Sequence, residues 1–347
     1  MSRATAIDPD DDVVIVGDLV FATDFGGGAV TSAGLDAFLA KYTPSGQHLW
    51  SKQFGAPGTT VYAYGVATDS QGNIIVVGVL NGTVDFGGGA LSSDQSGDVF
   101  IAKFMPGGAH RWSKSYGGTG YPSVAAVTVG ESDHILITGV LSGSASFGGA
   151  MLTSAGSSDV IVAKYSPTGE HVWSKRLGGT SRDVSRAIAL DGQDNVLVAG
   201  RFEGTADFAG PSLTSAGSAD IFLVKLSPNG LPVWSKRLGG VRWDEPFGVG
   251  VGAEENIAMT GYFDGSVDFC GGPLAETGGV KDIFVKPLRD GRPSMRSARW
   301  GTEVQRLWTG SCHRQRGERA DDRRVRRYDR FRWRDVHKSG WTRLIPR

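Results

Sequence analysis

The sequence predicts an all-β fold built from a repeated four-stranded unit, and three observations carry that expectation. The segment Ser166-Pro167-Thr168-Gly169-Glu170-His171-Val172-Trp173-Ser174-Lys175 returns in altered form at Thr43–Lys52, Pro106–Lys114 and Ser227–Lys236. Its tryptophans, Trp50, Trp112, Trp173 and Trp234, fall at a nearly constant step along the chain, and a fixed period this long signals a repeat architecture. Between them lie short period-2 runs rich in β-branched and aromatic residues, broken by Gly, Asp, Asn and Ser turns, while helical periodicity is hard to find. Glycine, at 52 of 347 residues, is about twice its usual ~7% share, and its clusters punctuate turns rather than mark disorder.

Each unit carries four markers in order. An apolar run follows a turn, at Val13–Val16, Asn73–Val77, His134–Thr138, Asn195–Ala199 and Asn256–Thr260. An Asp-Phe-Gly-Gly type segment comes next, with Phe25, Phe86, Phe147, Phe208 and Phe269 as core anchors and the glycines turning the chain. The third marker leads from an aspartate to a lysine: Asp36 to Lys41, Asp98 to Lys103, Asp159 to Lys164, Asp220 to Lys225, Asp282 to Lys286. The tryptophan segment closes the unit, and a large ring at one fixed place per unit can pack against the neighbouring unit. In the second unit the four strands read as Tyr64–Thr68, Asn73–Val84, Val99–Phe104 and His110–Tyr116.

Four strands per repeat, with exposed edges kept short by radial repetition, are the blades of a β-propeller. The expected blades are 1–56, 57–118, 119–179, 180–240 and 241–300, with 301–347 as an irregular tail. Ser2–Val13 aligns with Ser185–Val196, so Met1 falls inside a repeat, as in a fragment of a longer repeat protein. Five units leave ring closure open and expose an edge capable of pairing with another copy.

Asp24-Phe25-Gly26-Gly27, Asp36–Tyr42 and Gly46–Lys52 together resemble the bacterial SBBP repeat family, in register over about residues 1–300. The resemblance implies a β-propeller of a secreted or cell-surface protein, with a scaffold or binding role toward a protein or glycan and no shared catalytic residue. The Thr168-Gly169 to Trp173 piece is also similar to the tryptophan-docking motif of quinoprotein dehydrogenases, but the vicinal cysteine pair those enzymes typically use is absent, so the likeness supports the fold and brings no cofactor.

Beyond the tail's start at about Pro293 the markers vanish. Residues 302–347 hold 14 Lys and Arg against 6 Asp and Glu, leaving residues 1–301 with 22 basic and 30 acidic. An acidic body disfavours nucleic acid as a partner. Reading the tail one base later turns Trp300, Trp308, Trp333 and Trp341 into glycine. It also permits a further Asp-Phe-Gly-Gly beginning at position 330, one repeat period after Asp268. The tail therefore reads as a frameshift product.

The chain offers little that looks like chemistry. Cys270 and Cys312 make no framework, no run is long enough for a membrane helix, and no signal-peptide core opens the chain. His48, His110 and His171 occupy one position in successive units, so they belong to separate blades rather than to one metal site. Asp8-Pro9-Asp10-Asp11-Asp12 is a candidate calcium turn without the EF-hand spacing; no other cofactor is expected. Lys41, Lys103, Lys164 and Lys225 are expected to snorkel from a blade face. The repeat is broken at Arg242-Trp243-Asp244-Glu245 and at Tyr121-Pro122, which are the candidate binding residues. The expectation is a non-enzymatic scaffold. The alternative is a propeller enzyme (lyase, hydrolase or quinoprotein-like dehydrogenase) with its site in missing blades.

Overall fold

The computed structural model describes residues 1–252, 255–268, 273–275, 282–289, 292–293 and 298–299, apart from 33 and 94–96. The expectations for Phe269, Cys270, Cys312 and the 301–347 tail lie outside these. Residues Met1–Cys312 form one compact unit. The described residues are all-β, without a helix long and apolar enough to cross a membrane.

Four blades follow one plan, an antiparallel meander in chain order. They comprise Ser2–Ile7, Val13–Leu19, Asp36–Tyr42 and His48–Phe54; Thr60–Thr68, Ile74–Asn81, Asp98–Phe104 and His110–Tyr116; Tyr121–Val129, Ile135–Ser142, Asp159–Tyr165 and His171–Gly179; and Asp183–Leu190, Val196–Phe202, Asp220–Leu226 and Pro232–Leu238. A further sheet orders Glu245–Val251, Asn256–Phe263, Asp282–Arg289 and Arg292–Pro293 the same way. The first strands of successive blades pack against one another, and the tryptophan strand lies at the opposite edge. The second strand of the second blade ends at Asn81 rather than Val84. Gly82, at φ +93°, breaks it, and Thr83–Asp85 pairs with Ala90–Ser92 in a separate small hairpin.

The core is a series of layers between blades. One layer joins Val14, Val16, Leu39 and Phe54 of the first blade to Phe86, Phe100 and Phe104 of the second. Phe86, Phe147 and Phe208 are buried at the heart of successive layers. Removing such a ring from its layer costs about 3–5 kcal/mol.

Three of the four repeat tryptophans tie their blade to the next by a hydrogen bond. The indole N–H of Trp50 donates to the Pro106 carbonyl at 3.2 Å, that of Trp112 to Pro167 at 3.3 Å, and that of Trp173 to Pro228 at 3.1 Å. The same turns present Gly108, Gly169 and Gly230 to the indole faces. These glycines have φ between +75° and +82°, which suits a residue without a side chain, and an added Cβ would lie 3.0–3.2 Å from the preceding blade's ring.

The lysines do not snorkel. Lys41, Lys103 and Lys164 are buried, with their ammonium groups turned inward. Lys103 Nζ meets Asp69 at 2.8 Å and donates to the Pro167 carbonyl of the next blade at 3.1 Å; Lys225 meets Asp191 at 2.5 Å. The aspartates come from the turn before the second strand, where they also accept backbone N–H groups, as Asp69 does from Gln71 and Asn73. A buried ammonium needs such a partner, and the turn supplies it. In the third blade Gly130 replaces the aspartate, and Lys164 donates to the Pro228 carbonyl.

Candidate functional site

The acidic turn Asp8–Asp12 is closed by the chain's own cation: Lys41 Nζ lies 2.7 Å from Asp8 Oδ2 and 3.0 Å from Asp12 Oδ2. The histidines serve their own blades. His110 and His171 each meet a serine hydroxyl of the same strand, Ser113 and Ser174, at 3.1 Å. Their rings lie against Gly88 and Gly149, where any side chain would collide. Among the described residues, no group of three or more His, Cys, Asp or Glu is arranged to hold a metal ion.

Two carboxylates with displaced acidity are buried at blade boundaries. Burial, reinforced by the nearby Asp159, pushes Asp183 up to about 7. Burial, with Asp220 nearby, pushes Asp244 up to about 6. Both are fully enclosed, and each accepts a backbone N–H at 2.7 Å, from Gly179 and Gly240. Their partners are anchored by Arg176 to Asp159 at 3.0 Å and Arg237 to Asp220 at 2.6 Å.

The repeat is broken most plainly along one line of positions. The first strand of each sheet holds one extra residue opposite the glycine of the second strand: Arg3, Tyr64, Ala125, Arg186 and Phe247. A β-bulge re-aims the side chain it carries, and here that side chain is arginine in two units and tyrosine, alanine or phenylalanine in the others. The position after that second-strand glycine varies too: Asp18, Val79, Val140, Arg201 and Tyr262.

These residues assemble into two cation–aromatic groups. In the first, Arg3 bonds Asp18, and its guanidinium lies 4.9 Å from the Tyr64 ring and 5.5 Å from the Tyr62 ring. In the second, Glu245 Oε1 is held by Arg186 Nε at 2.6 Å and lies 3.2 Å from Arg201 Nε, while its Oε2 accepts from the Tyr262 hydroxyl at 3.0 Å. Arg201 lies 4.2 Å over the Trp243 ring. Burial alone would raise Glu245, but Arg186, Tyr262 and Arg201 hold it below the usual carboxylate value. Burial, in turn, lowers the Arg201 guanidinium. Phe247, largely exposed, packs its ring 5.5 Å from Tyr262. The third blade supplies small side chains at the same places, Ser123, Ala125 and Val140, with Tyr121 exposed beside them.

The structure thus separates the four candidates at 242–245. Trp243 and Glu245 join the second group. Asp244 turns into the blade boundary, and Arg242 lies outside, paired with Asp264 at 3.1 Å. The bulge residues escape a reading of the sequence alone, although aligning the units on the second-strand glycine reveals the variable column that marks them.

The family model of the SBBP beta-propeller repeat matches residues 49–83, which run from the outer strand of the first blade through the second strand of the next. The resemblance read from the repeated motifs is shown on that stretch. Among curated proteins, an uncharacterized WD repeat-containing protein of Acanthamoeba polyphaga mimivirus is 21% identical over 294 residues, covering 67% of this chain and 21% of that protein. The chain therefore spans about a fifth of that relative's length. Similar solved structures include a gluconolactonase from Xanthomonas campestris, with 14% identity, 82% of each chain covered and TM-score 0.41. A glucose dehydrogenase shows 11% identity, 75% of this chain and 79% of that one covered, and TM-score 0.40. A protein of unknown function from Bacteroides caccae shows 10% identity, 80% and 74% covered, and TM-score 0.37.

Proposed function

We propose that this chain is a non-enzymatic β-propeller scaffold of a bacterial cell-surface or secreted protein, with five repeat-length blades before an irregular tail. It works without a cofactor and binds a protein or glycan partner through the Arg–aromatic face. One observation carries the reading: at the first-strand bulge of an otherwise regular repeat the side chain changes from unit to unit, through Arg3, Tyr64, Ala125, Arg186 and Phe247. Arg, Tyr and Trp are the residue types on which binding energy concentrates. The ionisable groups of this face also support binding over catalysis. Glu245 is engaged by several donors, and the carboxylates of raised pKa are enclosed between blades, out of a substrate's reach.

The test screens purified protein against a glycan panel and a displayed peptide library, alongside lactone hydrolysis and quinone-dependent sugar oxidation assays. A binder whose affinity falls tenfold or more with Phe247→Ala and Tyr64→Ala, without turnover in either assay, supports the proposal. Turnover, or a binder indifferent to both substitutions, refutes it.

A further inference from the structure

The first blade carries half of a blade interface whose other half is missing among the described residues. At the internal boundary, the second blade presents Val76, Leu80, Phe86, Phe100, Ala102 and Phe104 to the first. The equivalent residues of the first blade, on its far side, are Ile15, Leu19, Phe25, Phe38, Ala40 and Tyr42, and they form an apolar cluster of their own. Phe25 and Phe38 sit 4.6 Å apart, the same separation as Phe86 and Phe100. Whereas Phe86 is 3% and Phe104 0% exposed, Phe25 and Tyr42 stay partly open, and a cavity of about 300 Å³ is lined by Ile15, Leu19, Phe25, Phe38 and Tyr42.

The turn above this face points the same way. Gly46 has the φ of its counterparts, +84°, yet an added Cβ there would meet nothing within 4 Å, where those at Gly108, Gly169 and Gly230 meet an indole. The Pro44 carbonyl holds the place of Pro106, Pro167 and Pro228, each of which accepts an indole N–H from the preceding blade. Pro167 and Pro228 also accept from the buried lysine of that blade.

We infer that this face is a docking socket for one further β-propeller blade. Its outer strand would bring a Gly-x-x-x-Trp-Ser-Lys segment, with the indole donating to the Pro44 carbonyl and lying over Gly46, and apolar residues of its middle strands covering Phe25 and Phe38. Three internal boundaries of the same construction specify this occupant. Trp50, Trp112 and Trp173 are already engaged within the chain, and Trp234 packs against the layer between the fourth blade and the further sheet, so the occupant is a repeat additional to these four blades. The inference rests on blade geometry and is independent of the Arg–aromatic face.

The test joins a copy of residues 124–184 ahead of Ser2, as they precede Ser185 in the chain. Amide exchange in Val13–Leu19 and Asp36–Tyr42 should slow by about tenfold or more, with a higher melting midpoint. The same fusion with Trp173→Ala in the added copy should lose the gain. Substitutions in the parent chain test the open face separately. Ile15→Lys, on that face, should leave cooperative unfolding intact, while Val76→Lys, its covered equivalent, should abolish it. The inference is overturned if Ile15→Lys damages as much as Val76→Lys. It is equally overturned if the fusion fails to fold, leaves exchange unchanged, or gains as much without the indole. A concentration-dependent dimer of the parent abolished by Ile15→Lys would give the socket to a second copy and also overturn it.

Discussion

Gly46→Ala and Gly169→Ala should differ in cost although they change the same atom in the same turn. Both glycines have φ near +80°, +84° and +81°, so each alanine carries the left-handed penalty of about 1–2 kcal/mol. At Gly46 the new methyl enters open space, and the penalty ends there. At Gly169 it falls 3.0–3.1 Å from three carbons of the Trp112 ring, whose indole is fixed by its bond to Pro167. Overpacking of that kind adds about 1–3 kcal/mol. The expected totals are therefore about 1–2 kcal/mol for Gly46→Ala and about 2–5 kcal/mol for Gly169→Ala. Urea unfolding with matched m-values measures both. Trp112→Ala closes the cycle: in that background Gly169→Ala should cost no more than Gly46→Ala does in the parent. Equal costs for the two glycines in the parent would refute the claim that the turn docks on the indole.

Other consequences follow from the buried charges. Lys103→Met leaves Asp69 enclosed without its cation and should cost about 3–5 kcal/mol, whereas Lys164→Met, whose lysine faces Gly130 rather than an aspartate, should cost less; chemical denaturation compares them. Burial alone would raise Asp69, but bonds from Lys103 and Asn73 hold it below its usual 3.8, so its stabilisation is present above about pH 4 and lost in more acidic solution. Asp183 has the opposite sign. With its folded pKa raised to about 7, the folded chain holds a proton that the unfolded chain releases, and stability from this group falls as pH rises from about 4 to 7. Asp183→Asn, whose amide oxygen still accepts from Gly179, should flatten that slope and raise the melting midpoint at pH 8. Added calcium should leave the melting midpoint unchanged, because Lys41 occupies the Asp8–Asp12 turn; a rise saturating in calcium would contradict that geometry.

The blades are legible in the sequence because their determinants are local and periodic. A tryptophan once per repeat, a turn glycine shortly before it and alternating apolar runs each act within one unit. The lysines are not legible for the opposite reason. Lys103 finds Asp69 on a turn that lies well back along the chain, and only the paired hairpins show that the ammonium turns inward. The Arg–aromatic groups depend on a bulge and on contacts between units, such as Arg186 to Glu245, which no single repeat reveals. Of the four candidates at 242–245, the period-2 alternation of an incoming strand sends Trp243 and Glu245 one way and Asp244 the other.

The central claim is that the departures from the repeat, gathered at the bulged first strands, form the binding face. Hydrogen exchange of the chain with and without the tightest binder from the glycan and peptide screens tests it most directly. Binding should slow exchange at 60–64, 121–125, 182–186 and 243–247, the starts of the first strands, and leave the tryptophan strands unchanged. Protection confined to His48–Phe54, His110–Tyr116 and His171–Gly179 would contradict the account and move the binding surface to the opposite edge of the blades.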